Sequence, residues 1–262
     1  MAQVLRARQP LRLDVPRPAS APLALAALVV CAWLALGLWG ASPAGRYLGH
    51  EVRPAGSAAE QLGAVALFVT GWVLMIVAMM LPTATGLLDA FRLVVRARTH
   101  SRRLVGAVVA GFVGVWVLAG AAFQVADGAV HAAVAAQDWL AGRTYLIAAS
   151  AFAAAGAYQF TSLKSRCLTA CRSPRGFVVR HWGGGRPGLD ALRVGAAYGV
   201  SCVGCCWALM LLLFALGMSS LTWMLAVGAI MAAEKLGAGG SRLSRGMGVG
   251  LLATAVVLVA AA

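Results

Sequence analysis

Apolar residues in this chain come in long runs without charge, neither alternating like barrel strands nor confined to one stripe of a soluble helix. Seven such runs stand out, at residues 22–40, 62–88, 104–125, 144–163, 194–218, 221–233 and 246–262. Most approach or exceed the ~20 residues that carry a helix across a bilayer. A backbone in lipid satisfies its own hydrogen bonds only as a helix or a closed barrel. Runs this unbroken do not fit the two-residue alternation of barrel strands. The pattern therefore predicts an all-α fold, a polytopic transmembrane helical bundle of about seven spans. One domain over residues 22–262 would follow a basic, Pro-rich tail at residues 1–21.

Composition excludes the soluble alternative. Of the 262 residues, 61% are apolar and 11% charged, against roughly 45–50% and about 25% in soluble domains. The net charge of +14, from 22 Lys/Arg and 8 Asp/Glu, then needs an explanation. Such a balance can mark a nucleic-acid binder, but cytoplasmic loops of membrane proteins also collect Lys and Arg. With the N-terminus cytoplasmic and seven spans threaded, 19 of the 22 fall inside, leaving Arg46, Arg53 and Arg143 outside. Topology accounts for the charge. We expect a multi-pass protein of a bacterial-type inner or plasma membrane, with the lipid bilayer as partner and no nucleic acid.

Two further features bear on the spans. Gly40-Ala41-Ser42 after the first run resembles a signal-peptide cleavage site, yet the run exceeds a usual signal-peptide core, so we read it as a retained anchor. Small residues four apart (Gly106, Ala110 and Gly114; Gly195 and Gly199) are expected to let helix backbones approach closely. No internal repeat of the transporter type is visible.

The chemistry is concentrated in sulfur. Cys31 stands alone and reads as a small packing residue. Cys167 and Cys171 lie four apart at the cytoplasmic end of the fourth run, and Cys202, Cys205 and Cys206 lie in the fifth, within GVSCVGCCWALM. Positions i, i+3 and i+4 share a helix face, so these three form one thiol patch, extended by Met210. With a rise of 1.5 Å per residue, Cys202 and Cys206 fall ~12 and ~18 Å below the cytoplasmic boundary, near the middle of a ~30 Å core. Three thiols on one face exceed what packing needs. Met75, Met79 and Met80 in the second run lie at overlapping depth. Met is usually a gap-filler, and the coincidence of depth points instead to a shared site.

Thiolate and thioether donors select Cu(I) over hard cations. Zinc, which prefers Cys and His, stays as the second choice. His50, His100, His131 and His181 all fall in expected loops, away from the thiols. Glu234-Lys235 ends the sixth run. There a lysine is expected to snorkel to the interface, with Glu234 close enough to the edge to be solvated.

At these motifs the chain resembles a family of predicted metal-binding integral membrane proteins, the domain of unknown function 2182, sometimes labelled copper chaperones. The resemblance rests on Met75 with Ala78-Met79-Met80-Leu81-Pro82, on Tyr158-Gln159 with Leu163-Lys164, and on Cys167 to Cys171-Arg172 with Pro174. It continues through Cys202-Val203-Gly204-Cys205-Cys206-Trp207-Ala208-Leu209-Met210, Trp223-Met224 and Glu234-Lys235. Two departures are visible: Ser162 stands where a proline is expected, and Ser219-Ser220 where the family tends to have Met-Asn. The second removes a thioether from the turn between spans five and six. The resemblance implies a metal-binding membrane protein.

Three functions compete. Copper handling would use Cys202, Cys205 and Cys206, assisted by Cys167, Cys171 and the methionines, with a metal-donor or metal-acceptor protein as partner. Cys202-x2-Cys205 is also a dithiol spacing, so a membrane thiol-disulfide oxidoreductase or electron carrier is the alternative. A scaffold with packing thiols is the third. No P-loop is present to drive active pumping.

Overall fold

The computed structural model describes residues 20–42, 45, 57–216, 220–237 and 239–261, and among them all regular structure is helical. The Arg-rich tail before residue 20, His50, and Met218-Ser219 of the expected turn lie outside the described residues.

Helices α1 (Ser20–Gly40) and α2 (Ala58–Met79) come first, the second opened by the Ser57 hydroxyl accepting from the Glu60 amide at 3.5 Å. The run expected at residues 62–88 is not one span. Pro82 has no amide hydrogen to donate to the preceding turn, and the chain passes through a short 3-10 turn, Pro82–Ala84, into α3 (Thr85–Val95). Helix α3 is amphipathic and buries Leu87, Leu88, Phe91 and Val95.

Then come α4 (Ser101–Ala135), the short α5 (Asp138–Ala141) and α6 (Thr144–Tyr158). The stretch from Lys164 to Arg193, expected to be the longest loop, is largely helical. Thr161 caps α7 (Ser162–Arg172), its hydroxyl accepting from the Lys164 amide at 3.2 Å. Pro174 occupies the first turn of α8 (Pro174–His181), where its missing donor costs nothing. Helices α6 and α7 meet at a 65° bend. The last three are α9 (Pro187–Leu216), α10 (Leu221–Leu236) and α11 (Gly240–Ala260).

Among the described residues, five helices (α1, α2, α4, α9 and α11) are long and apolar enough to cross a membrane, or six if the bent α6–α7 pair is one span. The sixth expected run, residues 221–233, lies in α10. At 16 residues that helix is about 24 Å long, shorter than a ~30 Å hydrocarbon core.

Helix α4 packs along α9, and α6 along α11. The α4–α9 approach is set by glycine, though not by the set expected on α4. A Cβ on Gly106 or Gly114 would meet nothing within 4 Å; these positions face outward. Gly111 instead abuts the Leu192 carbonyl of α9, Gly195 abuts the Val108 carbonyl of α4, and Gly199 lies against Val115 and Phe112. The four-residue spacing was right on α9 and out of phase on α4. Cys31, expected to pack, is exposed on α1.

A Cβ at position 195 would overlap backbone, which cannot yield as a side chain can. Gly195→Ala is therefore expected to destabilise the detergent-solubilised protein by about 1–3 kcal/mol. Gly106→Ala should change stability by no more than about 0.5 kcal/mol. Thermal unfolding followed by circular dichroism compares the two.

Candidate functional site

Helix α9 carries its three thiols into the protein interior: Cys202, Cys205 and Cys206 are each 1% exposed. The spacing i, i+3, i+4 has the expected result, since the Cys205 and Cys206 sulfhydryls both reach the Cys202 carbonyl, at 3.1 and 2.9 Å. Helix α7 lies across this face. Its Cys171 is buried, with Sγ 3.9 Å from Cys205 Sγ. Two sulfurs that share a metal through bonds of about 2.3 Å stand about 3.8–4.0 Å apart at tetrahedral to trigonal angles. The Cys171–Cys205 separation matches that edge. Among the described residues, however, no group of three or more His, Cys, Asp or Glu side chains forms a ready metal cage.

Cys167, one turn before Cys171, is half-buried and seats its sulfur on Gly204 of α9, 2.6 Å from where a Cβ would stand. Glycine at 204 is what lets the two sulfur-bearing helices come this close. Two tyrosines fix the same junction. Tyr158 donates its hydroxyl to the Gly204 carbonyl, and Tyr198 donates to the Cys171 carbonyl at 2.9 Å.

The methionines divide. Met80, fully buried at the end of α2, has its Sδ 3.5 Å from the Lys235 ammonium, which also reaches Cys202 Sγ at 3.0 Å. Met79 packs on α10 at Gly228. Met75 and Met210 are buried in the core. Among the described residues no hydrogen bond joins Met75, Met79 or Met210 to a cysteine sulfur. His181, the last residue of α8, stacks on Phe177 with its ring exposed, apart from the thiols.

The largest correction concerns charge. Lys235 does not snorkel and Glu234 is not solvated; they are 6% and 2% exposed, and Lys164 is 1% exposed. Lys164 Nζ pairs with Glu234 Oε2 at 2.8 Å, and Ser244 donates to Glu234 Oε1 at 2.9 Å. Lys235 donates to Cys202 Sγ and to Thr83 Oγ1, the latter at 3.3 Å. Arg172 closes the end of α10, giving its guanidinium to the Glu234 carbonyl at 2.6 Å, where a helix C-terminus favours a cation. Sequence alone missed Lys164, Lys235 and Thr83 as parts of this site. Because α10 is apolar on all sides, its pattern indicated no buried face on which Glu234 and Lys235 would fall.

These features define a helical protein with membrane-length spans and a buried, sulfur-rich centre holding its own charged side chains. Residues 69–258 match the PpoB2 copper chaperone family, and the chain belongs to that family. No curated protein and no solved structure matches it. The family description and the membrane-length helices together fit a copper-handling membrane protein.

Removing one member of a buried ion pair leaves its partner without compensation. Lys164→Met is expected to cost about 3–5 kcal/mol, and the double variant K164M/E234M to recover most of that loss. Thermal unfolding of the detergent-solubilised variants measures both.

Proposed function

We propose that this protein binds Cu(I) as cargo within the membrane and passes it between donor and acceptor proteins. Cys171, Cys202 and Cys205 would be the principal ligands. Cys206, Cys167, Met80, Met75, Met79 and Met210 would supply further soft donors on the way in or out. The observation that carries the reading is the Cys171–Cys205 approach of 3.9 Å, the edge expected of two sulfurs on one metal. Soft donors favour Cu(I), and with no histidine at the thiols among the described residues zinc is the weaker candidate.

The same approach supports a second reading, a thiol–disulfide carrier. Its dithiol would be Cys171 with Cys205, across two helices, rather than the Cys202-x2-Cys205 spacing within one. Two thiols would lose two electrons and two protons to a disulfide or quinone oxidant as the S–S bond forms.

For orientation we propose a cytoplasmic N-terminus in a bacterial-type inner or plasma membrane. Seven crossings result if the bent α6–α7 pair and the short α10 each count as one. Setting aside Lys164, Arg166 and Arg172 of α7 and Lys235 of α10, 15 Lys/Arg fall on the inner side against three outside, which supports this arrangement.

The deciding experiment is anaerobic titration of the reduced, detergent-purified protein with Cu(I) against a competing chelator. About one Cu(I) per chain should bind tightly. Cys171→Ser and Cys205→Ser should each weaken binding at least tenfold, and the triple variant C202S/C205S/C206S should abolish it. Absence of binding by reduced wild type would refute copper handling, and a defined Cys171–Cys205 reduction potential would then favour the carrier. Reporter fusions after residues 98 and 142 should report cytoplasmic and external positions respectively.

A further inference from the structure

Three charged side chains are buried together beside the thiols, and their charges do not cancel. Lys164 and Glu234 neutralise each other at 2.8 Å, with Ser244 on the second carboxylate oxygen. Lys235 is left over. Among the described residues no carboxylate lies within ion-pair distance of its ammonium. Its partners are Cys202 Sγ at 3.0 Å, Thr83 Oγ1 at 3.3 Å and Met80 Sδ at 3.5 Å. A buried cation is costly to retain unless something negative meets it. Thr83 and Met80 offer dipoles only, so the one group here able to carry the negative charge is sulfur.

We propose that Lys235 is the built-in counter-charge of the bound metal–thiolate complex, and that it biases the site toward a monovalent cation. This inference rests on the copper-handling reading. Three thiolates on Cu(I) carry two net negative charges, whereas the same three on Zn(II) carry one. For any given set of thiolates the cuprous complex is one charge more negative than the zinc complex. A fixed ammonium against one of those sulfurs therefore stabilises the cuprous complex more, and low dielectric strengthens the preference. Donor softness already favours Cu(I). Lys235 adds a second, independent selection that acts on charge rather than on polarisability. Its place on α10, a different helix from the thiols, lets it supply charge without occupying a coordination position.

The test compares affinities for Cu(I) and Zn(II), each against a competing chelator, in reduced detergent-purified wild type, Lys235→Met and Lys235→Arg. Lys235→Met should lose about tenfold or more in Cu(I) affinity while Zn(II) affinity falls less, so the Cu(I)/Zn(II) ratio falls. Lys235→Arg, which keeps the charge, should restore most of the ratio. Lys235→Gln keeps a hydrogen-bond donor for Thr83 without the charge, and should shift the ratio as Met does. It serves if Lys235→Met does not fold. An unchanged ratio in the uncharged variants, or equal loss of both metals, would overturn the inference while leaving copper binding intact. Wild type that binds no Cu(I) would overturn the copper reading and this inference with it.

Discussion

A cation held inside a membrane protein must be met by negative charge or strong dipoles, and much of this structure follows from that requirement. Lys164 meets it conventionally, through Glu234 at 2.8 Å. That contact joins α7 to α10, and Ser244 extends it to α11. Arg172 adds a second tie between α7 and the last carbonyls of α10. Helix α7 is too polar to be held by apolar burial alone. Its place against α9 depends on these charged contacts and on the tyrosine hydroxyls that bind neighbouring backbone. Cys171 faces Cys205 on the same buried side of α7 that carries Lys164 and Leu168, so one rotation of that helix serves both contacts.

Close approach of backbone is the second constraint. Lipid gives little hydrophobic incentive for helices to pack against one another, so contact surfaces favour small residues. The α4–α9 seam uses Gly111 and Gly195 for this purpose. At Gly204 the same device serves chemistry rather than packing, because the atom that occupies the space is a cysteine sulfur of α7.

The fold was largely legible in the sequence because long uncharged runs admit few solutions in lipid. The thiol patch was legible too, since i, i+3 and i+4 spacing fixes a face wherever the helix packs. What could not be read was phase and partnership. Gly106 and Gly111 look alike as letters, and only the rotation of α4 decides which one touches α9. Pro82 was visible, but not that the chain would turn there into an amphipathic α3. Lys164, Glu234 and Lys235 each flank an apolar run, where charged residues ordinarily reach water. Their burial depends on contacts across 70 residues for Lys164 with Glu234 and 33 to 155 for Lys235, and periodicity within one helix carries no information about such contacts. The methionines show the same limit: depth brought Met75, Met79 and Met80 into consideration, and side-chain direction sent only Met80 toward Lys235.

The wide separation of Lys164 and Glu234 along the chain has a consequence for biosynthesis. Lys164 precedes its counter-charge Glu234 by 70 residues. At about 5–20 residues per second this is a delay of about 4–14 s during synthesis. Throughout that interval Lys164 lacks the carboxylate with which it pairs in the folded protein. The Lys164–Glu234 tie between α7 and α10 can therefore form only after α10 has been made, and until then the packing of α7 rests on its contacts with earlier helices.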